Sequence, residues 1–360
     1  MGYPLILILA GLVRRIEVRK KPIFPAVTMI ITAFNEEKKI SEKLENTLAL
    51  NYPKEKIQII VASDGSTDAT NQIVSGYADR GIKLFPVGER RGKENAQKEA
   101  IQLATGDILV FSDVATRIDP SGLQQIVSNF ADPSIGCVSS EDRLVGADGR
   151  PVGEGVYVRY EMWLRRLESK VGSLVGLSGS FFAARKSVCV DFSGEMQSDF
   201  RTLLSSIRLG MRGVSDPEAV GYYRDVSDPK REMDRKVRTV LRGLTVFFRN
   251  LDLLNFSRYG LFSFQLFCHK LMRWLVPGFL AVSLVTNLFL ATDSAVYAVL
   301  LGLQAAFYGV AVIARIRGNA TANLLLKIPS YFLTVNLAIA RAWWRYLVGE
   351  RIVMWEPSER

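Results

Sequence analysis

Short apolar runs alternate with amphipathic stretches through the first half of the chain. Four runs rich in Ile, Val and Phe are each followed by a polar turn and helical spacing, at residues 27–33, 57–63, 82–87 and 108–112. Between the first two runs Ile40, Leu44 and Leu48 recur at every fourth position, which marks one face of a helix. This alternation is typical of βαβ units and predicts an α/β fold with a mostly parallel, twisted sheet and flanking helices.

From residue 275 onward the residues are nearly all apolar, with few charges between them. The apolar segments 275–291 and 295–314 have 17 and 20 residues, close to the roughly 20 helical residues that span a bilayer. They predict two transmembrane helices, although buried helices of a soluble core have a similar pattern. A third segment, 323–340, contains Lys327 and Pro329 and is a weaker candidate.

The first apolar segment, residues 3–13, is too short to cross a bilayer as a helix, because eleven residues extend only about 17 Å. Arg14 and Arg15 follow the apolar run, which argues against a cleaved signal peptide and for an anchor with a cytoplasmic carboxyl side. A mis-assigned start codon, with the true helix beginning upstream, is an alternative explanation of this segment.

Charge is concentrated just before the first strong span. The chain has 360 residues and a net charge of +10, and residues 230–273 hold ten basic and three acidic side chains. Aromatic residues interleave with this charge in an interface-like run, so we expect contact with membrane lipid and no nucleic-acid partner. The expected divisions are a membrane-associated segment at 1–15, a cytoplasmic α/β domain at 25–229, basic amphipathic interfacial helices at 230–273, transmembrane helices at 274–347 and a tail at 348–360.

The composition restricts the possible chemistry. Only three cysteines occur, none in a CxxC pair, and His269 is the single histidine. Disulfide frameworks, zinc sites and histidine-based triads are therefore poorly supported. Asp64 and Asp113 directly follow two of the apolar runs, at the sheet edge where open α/β folds bind ligands. Carboxylates at this edge hold nucleosides or divalent cations, although Asp64 could equally serve as a turn former.

Six motifs occur in an order and spacing that resembles the membrane-bound family 2 glycosyltransferases, which include bacterial synthases of exopolysaccharides. The resemblance covers about residues 25–275. The motifs are Ile31-Thr-Ala-Phe-Asn-Glu36, Ser63-Asp-Gly-Ser-Thr-Asp68, Arg91-Gly-Lys-Glu-Asn95, Phe111-Ser-Asp113, Ser178-Gly-Ser180 and Ser198-Asp-Phe200.

This resemblance implies a GT-A fold and an inverting sugar transfer at the cytoplasmic face of the membrane, in exopolysaccharide or cell-envelope glycan synthesis. It implies a nucleotide-sugar donor, with a UDP-sugar favoured, a glycan or lipid-linked acceptor, and Mg²⁺ or Mn²⁺ as cofactor. The implied donor-binding residues are Ala33, Glu36, Asp64, Lys93 and Asp113.

Within that set, Asp64 matches the aspartate that meets the donor base, and Asp113 matches the first carboxylate of the DxD element at the diphosphate and metal. Ala115 stands at the third DxD position, which leaves one protein carboxylate for the metal. Mg²⁺ suits such a site because it usually retains waters and substrate phosphates.

Asp199 matches the catalytic base that removes the proton of the acceptor hydroxyl. Ser198 stands where many relatives carry a second acidic residue. A helix-capping role for Asp199 is the alternative, and the two roles are compatible.

Another set of residues is expected on the diphosphate and acceptor side. Polymerising relatives carry a QxxRW element, and this chain has Glu232-Met-Asp-Arg235-Lys236 in the corresponding region. The cations are expected to stabilise the leaving diphosphate, although lipid headgroups are an equally good partner for Lys236. The set comprises Ser178, Gly179, Ser180, Arg235, Lys236 and Arg238.

The departures at Ala115, Ser198 and QxxRW also allow a non-catalytic membrane sensor or partner subunit that binds nucleotide sugar. A third full crossing would carry Arg341, Arg345 and Arg351 outside, against the positive-inside rule, so 323–340 is expected to be re-entrant or interfacial.

Overall fold

The protein is described by a computed structural model that covers residues 2–146, 156–224, 229–316 and 324–352. The strands are β1 Val27–Ala33, β2 Ile57–Asp64, β3 Ile82–Val87, β4 Ile108–Asp113, β5 Arg117–Ile118, β6 Ile135–Val145, β7 Phe181–Arg185 and β8 Arg212–Arg224. The α-helices are α1 Gly2–Val13, α2 Ile40–Leu48, α3 Thr70–Ser75, α4 Lys93–Gln102, α5 Gly122–Ser128, α6 Val156–Val171, α7 Ser198–Arg208, α8 Pro229–Phe248, α9 Phe256–Tyr259, α10 Leu261–Leu266, α11 Arg273–Leu290, α12 Ala295–Ile316 and α13 Leu324–Leu347.

The four predicted strands are confirmed. β1 and β3 have the expected bounds, and β2 and β4 each extend by one residue to include Asp64 and Asp113. Every residue of β1 is buried, which explains its continuous apolar run, because a central parallel strand is covered on both faces. Met29 and Ile31 pack in one core with Ile40 and Leu44 of α2, as the helical spacing predicted.

The eight strands form one mixed sheet in the order β3-β2-β1-β4-β7-β6-β8-β5. β1 pairs in parallel with β2 and β4, and β7 runs antiparallel between β4 and β6. Ser112 at the end of β4 pairs with Phe181 at the start of β7. The residues just before β7 therefore meet the carboxyl ends of β1, β2 and β4 at one edge of the sheet.

The described residues cluster into two units. The first comprises 2–224 and 246–266 and contains the whole sheet, and the second comprises 229–245 and 267–352. These units cut across the segment 230–273, and the domain boundaries given above stay predictions.

The second unit is helical. Val237 and Leu241 of α8 pack against Ala338 and Ala342 of α13, and Trp343 Nε1 donates a hydrogen bond of 2.9 Å to the carbonyl oxygen of Trp274. These contacts join α8 and α11 to the carboxyl-terminal half of α13.

Among the described residues, two helical stretches are long and apolar enough to cross a membrane, Leu261–Leu290 and Ala295–Ala314. The first joins α10 to α11 through a π-helical turn, Phe267–Met272. Large apolar side chains such as Val282 and Phe289 on α11 and Leu303 on α12 are exposed, as expected for helices that face lipid.

Candidate functional site

The ends of β1 and β2 are joined by hydrogen bonds between their loops. The backbone N–H of Asn35 donates to Ser66 Oγ at 3.1 Å, and the N–H of Thr67 donates to Asn35 Oδ1 at 2.8 Å. Asn35 has a φ of +51°, a left-handed conformation that Asn tolerates better than most residues. Ala33 at the end of β1 is fully buried, so a donor contact at this position would use its backbone.

Asp64 ties the end of β2 to the start of α4. Its Oδ1 accepts a hydrogen bond of 2.9 Å from the N–H of Arg91, and its Oδ2 accepts one of 2.8 Å from the N–H of Gly92. Gly65 has a φ of +69°, and a Cβ there would lie 2.8 Å from the backbone nitrogen of Arg90. Glycine is therefore required for this close approach.

An aromatic and a cationic side chain stack beside Asp64. The Arg90 guanidinium lies over the Phe34 ring at 3.8 Å from its centroid, a cation–π contact. Phe34 belongs to the loop after β1 and Arg90 to the loop before α4, so the stack joins the two loops that flank Asp64.

Lys93 brings three parts of the chain together. Its ammonium donates to Asp113 Oδ1 at the end of β4 and to the carbonyl oxygen of Gly179 at 3.1 Å. The N–H of Asp113 also donates to the carbonyl oxygen of Ser180 at 3.0 Å. The side chain of Lys93 is 8% exposed and that of Asp113 is 22% exposed, so the carboxylate is the more accessible member of the ion pair.

Glu36 interacts electrostatically with Asp113. Burial raises the pKa of Glu36 above the ordinary value for glutamate, and the charges of Asp113 and Asp68 raise it further against the opposing effect of Lys39. This edge of the sheet therefore concentrates carboxylates, which favours binding of a cation.

The segment Ser178–Ser180 lies between two carboxylates. A Cβ on Gly179 would be 3.3 Å from Asp199 Oδ2, so the absence of a side chain lets the segment approach Asp199. On its other side Ser178 Oγ donates to Asp142 Oδ2 at 2.6 Å and Ser180 Oγ donates to Asp142 Oδ1 at 2.7 Å.

Asp199 lies in the first turn of α7 and is 9% exposed. The N-cap residue of α7 is Gln197, and Gln197 Nε2 donates to Asp199 Oδ2 at 3.2 Å. Asp199 is thus not the capping residue, although the helix dipole still favours a carboxylate in the first turn. Its position beside Gly179 joins it to Lys93 and Asp113.

The expected cations of the helical unit lie on α8. Arg235 Nε donates to Glu232 Oε2 at 2.8 Å, and Lys236 donates to Glu232 Oε1. Burial alone would raise the pKa of Glu232, but Arg235 and Lys236 outweigh it and lower the pKa. Arg238 lies on the same helix, half-buried. These residues belong to the second unit, and the first unit brings together the other expected site residues.

Sequence reasoning missed two residues of this region. Lys43 of α2 is fully buried, and its Nζ donates to Ser112 Oγ and to the carbonyl oxygen of Thr116, both at 2.6 Å. The sequence did contain a sign that Lys43 is buried, because Lys43 falls on the apolar face that Ile40 and Leu44 define. Asp142 had no such signal, since it follows other polar residues in β6 and its two shortest hydrogen bonds come from serines that are 36 and 38 residues away.

Comparison with known proteins gives a family and a set of relatives. A sequence model of the family described as "Glycosyl transferase family 2" matches residues 28–190. The poly-β-1,6-N-acetyl-D-glucosamine synthase of Staphylococcus aureus strain COL is 29% identical over 194 residues, which are 52% of this chain and 46% of the relative. The enzyme of the same name from Staphylococcus epidermidis is 26% identical over 170 residues, 46% of this chain and 40% of the relative. The chain thus matches about half the length of these curated relatives or less.

A solved structure covers nearly the whole chain. The mannosyltransferase PcManGT from Pyrobaculum calidifontis, in complex with GDP-Man and Mn²⁺, superposes with a TM-score of 0.76 and 23% identity over 97% of this chain and 96% of PcManGT. This likeness confirms the expected α/β GT-A fold together with its helical carboxyl-terminal part.

Proposed function

We propose that the chain is an inverting glycosyltransferase of the exopolysaccharide-synthase type. Residues 28–190 match the glycosyltransferase family 2 model, and about half of the chain resembles poly-β-1,6-N-acetyl-D-glucosamine synthases. The enzyme transfers a sugar from a nucleotide-diphosphate donor to a glycan or lipid-linked acceptor, in exopolysaccharide or cell-envelope glycan synthesis. The carrying observation is the convergence of Lys93, Asp113, Gly179 and Asp199 at one edge of the sheet.

The donor side of the site is assigned to the loops after β1, β2 and β4. Ala33, through its backbone, and Glu36 are the proposed nucleoside contacts, and Asp64 meets the base while it holds Arg91 and Gly92. Because both Asp64 oxygens already accept backbone N–H groups, a base contact would use their remaining lone pairs. A UDP-sugar is the favoured donor.

Asp113 and Lys93 are the proposed partners of the diphosphate. Among the described residues no cluster of three His, Cys, Asp or Glu side chains could hold a metal ion, so the protein alone supplies few ligands. The accessible carboxylate of Asp113, in the field of Glu36, still fits a hard cation whose other ligands are phosphate oxygens and water. Mg²⁺ or Mn²⁺ bound there would neutralise charge on the leaving diphosphate.

Asp199 is the proposed catalytic base. The acceptor oxygen attacks the anomeric carbon from the face opposite the diphosphate, a new C–O bond forms, and the bond to the diphosphate oxygen breaks. The hydroxyl proton passes to the Asp199 carboxylate, and the nucleoside diphosphate leaves. Partial burial and the hydrogen bond from Gln197 hold this carboxylate in one orientation.

The remaining assignments concern the membrane and the acceptor. Arg235, Lys236 and Arg238 are proposed to face the diphosphate and acceptor side, as are Ser178, Gly179 and Ser180. The two apolar stretches are proposed to cross the cytoplasmic membrane, with the first unit, which contains the sheet, on the cytoplasmic face and lipid contacts along the basic segment 230–273.

Nucleotide release tests this function. The protein in lipid nanodiscs is incubated with UDP- and GDP-sugars and Mg²⁺ or Mn²⁺, as wild type, Asp199→Asn and the control Asp191→Asn, an exposed aspartate nearby. We expect release by wild type and control and a loss of about a hundredfold or more in Asp199→Asn. Donor binding without release, in the presence of glycan acceptors, would overturn the transferase and favour a sensor.

A further inference from the structure

Asp142 is a carboxylate that the proposed reaction does not use. It lies on β6, and its two oxygens accept hydrogen bonds of 2.6 and 2.7 Å from the hydroxyls of Ser178 and Ser180. Hydroxyl donors to an ionised oxygen are shorter and stronger than neutral pairs. Asp142 therefore fixes the side chains on both sides of Gly179.

The segment that Asp142 fixes contacts the reacting groups. The carbonyl oxygen of Gly179 accepts from Lys93, the carbonyl oxygen of Ser180 accepts from the N–H of Asp113, and the α-carbon of Gly179 faces Asp199. A displacement of this segment would therefore disturb both the ion pair on the donor side and the setting of the base.

Hydrogen-bond direction at this cluster follows from counting protons. Each serine hydroxyl has one hydrogen, and the shortest contacts direct both hydrogens to Asp142. The two Oγ atoms lie 2.9 Å apart and retain only lone pairs. Ser178 is 2% exposed, whereas Ser180 and Asp142 are partly exposed, so a ligand that reaches these two side chains meets hydrogen-bond acceptors.

The hydrogen-bond acceptors and the negative charge at Ser180 and Asp142 favour some ligand groups over others. Phosphate oxygens are also acceptors and carry negative charge, so they are repelled. A hydroxyl group of a sugar donates a hydrogen bond and is uncharged, so it fits. Of the diphosphate and acceptor roles proposed above for Ser178, Gly179 and Ser180, this favours contact with a sugar hydroxyl.

We propose that Asp142 is a positioning residue that holds Ser178 and Ser180 as hydrogen-bond acceptors, so that Ser180 binds a sugar hydroxyl beside Asp199. The inference rests on the proposed glycosyl transfer and adds the group that orients the sugar. The hydroxyl belongs either to the donor sugar or to the acceptor, and the two sources give different kinetics.

The test compares Asp142→Asn, Ser180→Ala and the double variant with wild type, using the nucleotide sugar that wild type turns over. Ser134→Ala is the matched control, because Ser134 Oγ donates to Asp132 Oδ1 at 2.8 Å outside the site. Asn replaces one acceptor oxygen by an N–H donor, which turns one serine hydroxyl around. We expect kcat/KM to fall about tenfold in each single variant and little further in the double variant.

Binding measurements separate a specific role from general damage. The affinity for UDP or GDP alone should stay within about twofold of wild type in all variants. If the hydroxyl belongs to the acceptor, the acceptor KM rises and the donor KM does not, and if it belongs to the donor sugar, the reverse holds. With wild type, a deoxy analogue that lacks this hydroxyl should react more slowly than the parent sugar. With Ser180→Ala, the analogue and the parent sugar should react at similar rates.

The outcomes also distinguish this inference from the proposed function. No release by wild type with any sugar would overturn both. If wild type is active, two results would overturn the role of Asp142 and leave the proposed function intact. One is unchanged kinetics in Asp142→Asn and Ser180→Ala, and the other is additive losses in the double variant. A loss of UDP or GDP affinity equal to the loss of kcat/KM would also overturn it, since the effect would then lie on the diphosphate side.

Discussion

Asp64 and Gly92 are joined by a hydrogen bond of 2.8 Å from the Gly92 backbone N–H to Asp64 Oδ2. Together with the bond from the N–H of Arg91, it makes a side chain at the end of one strand the anchor of the loop that leads into α4. Lys93 follows directly, so the position of its ammonium depends on this anchor.

We therefore predict that Asp64→Ala destabilises the protein and frees the loop before α4. The substitution leaves two N–H donors without their acceptor, and a buried unsatisfied donor costs about 1–3 kcal/mol. Chemical denaturation in detergent micelles measures the loss. Asp64→Asn keeps one acceptor oxygen and should lose less, and equal losses in the two variants would contradict this account.

Lys93→Met should lower nucleotide release by about a hundredfold, because it removes the ammonium that pairs with Asp113 and holds the carbonyl oxygen of Gly179. The measurement is the initial rate of release with the active donor. Lys98→Met, at an exposed position of α4, is the matched control. If Lys93→Met kept the wild-type rate, Lys93 would have no role in the proposed reaction.

Lys43 should make stability depend on pH. Burial lowers the pKa of Lys43 to about 7, against the opposing charge of Asp113, while the unfolded chain keeps the ordinary value of about 10.4. Between these values the unfolded state binds the additional proton. Stability should therefore rise with pH across this window, by at most about 1.4 kcal/mol per pH unit, and this gain is absent below pH 7.

The check is thermal unfolding of wild type and Lys43→Met between pH 6 and 9.5. The stability of wild type relative to the variant should be lowest near pH 6 and should increase as pH rises. Parallel profiles for the two proteins would show that Lys43 does not titrate in this range.

The proposed membrane topology predicts different labelling of two engineered cysteines. Asp293→Cys lies in the turn between α11 and α12, and Glu55→Cys lies on the first unit, which contains the sheet. Both positions are exposed. In intact cells a membrane-impermeant maleimide should label the first variant, and the second only after permeabilisation. Wild type is the background control, since Cys137 and Cys189 are buried and Cys268 is partly buried. Labelling of Glu55→Cys in intact cells would contradict the cytoplasmic orientation.

Much of the fold could be predicted because it depends on neighbours along the chain. The apolar runs gave β1 to β4, and the spacing of Ile40 and Leu44 gave the buried face of α2. The position of β7 could not be predicted in this way. It runs antiparallel between β4 and β6, and periodicity along one strand carries no information about which strands lie beside it.

The sequence by itself determined the residue types of the site, the family resemblance and the two apolar stretches, since each is written in a local order of residues. Only the tertiary structure decided that Asp64 binds the loop before α4, that Lys93 bridges Asp113 and Gly179, and that Asp142 holds the serines that flank Gly179. These partners lie 20 to 86 residues apart in the chain. Their contacts exist because strand order and register bring them to one edge of the sheet, which no local pattern specifies.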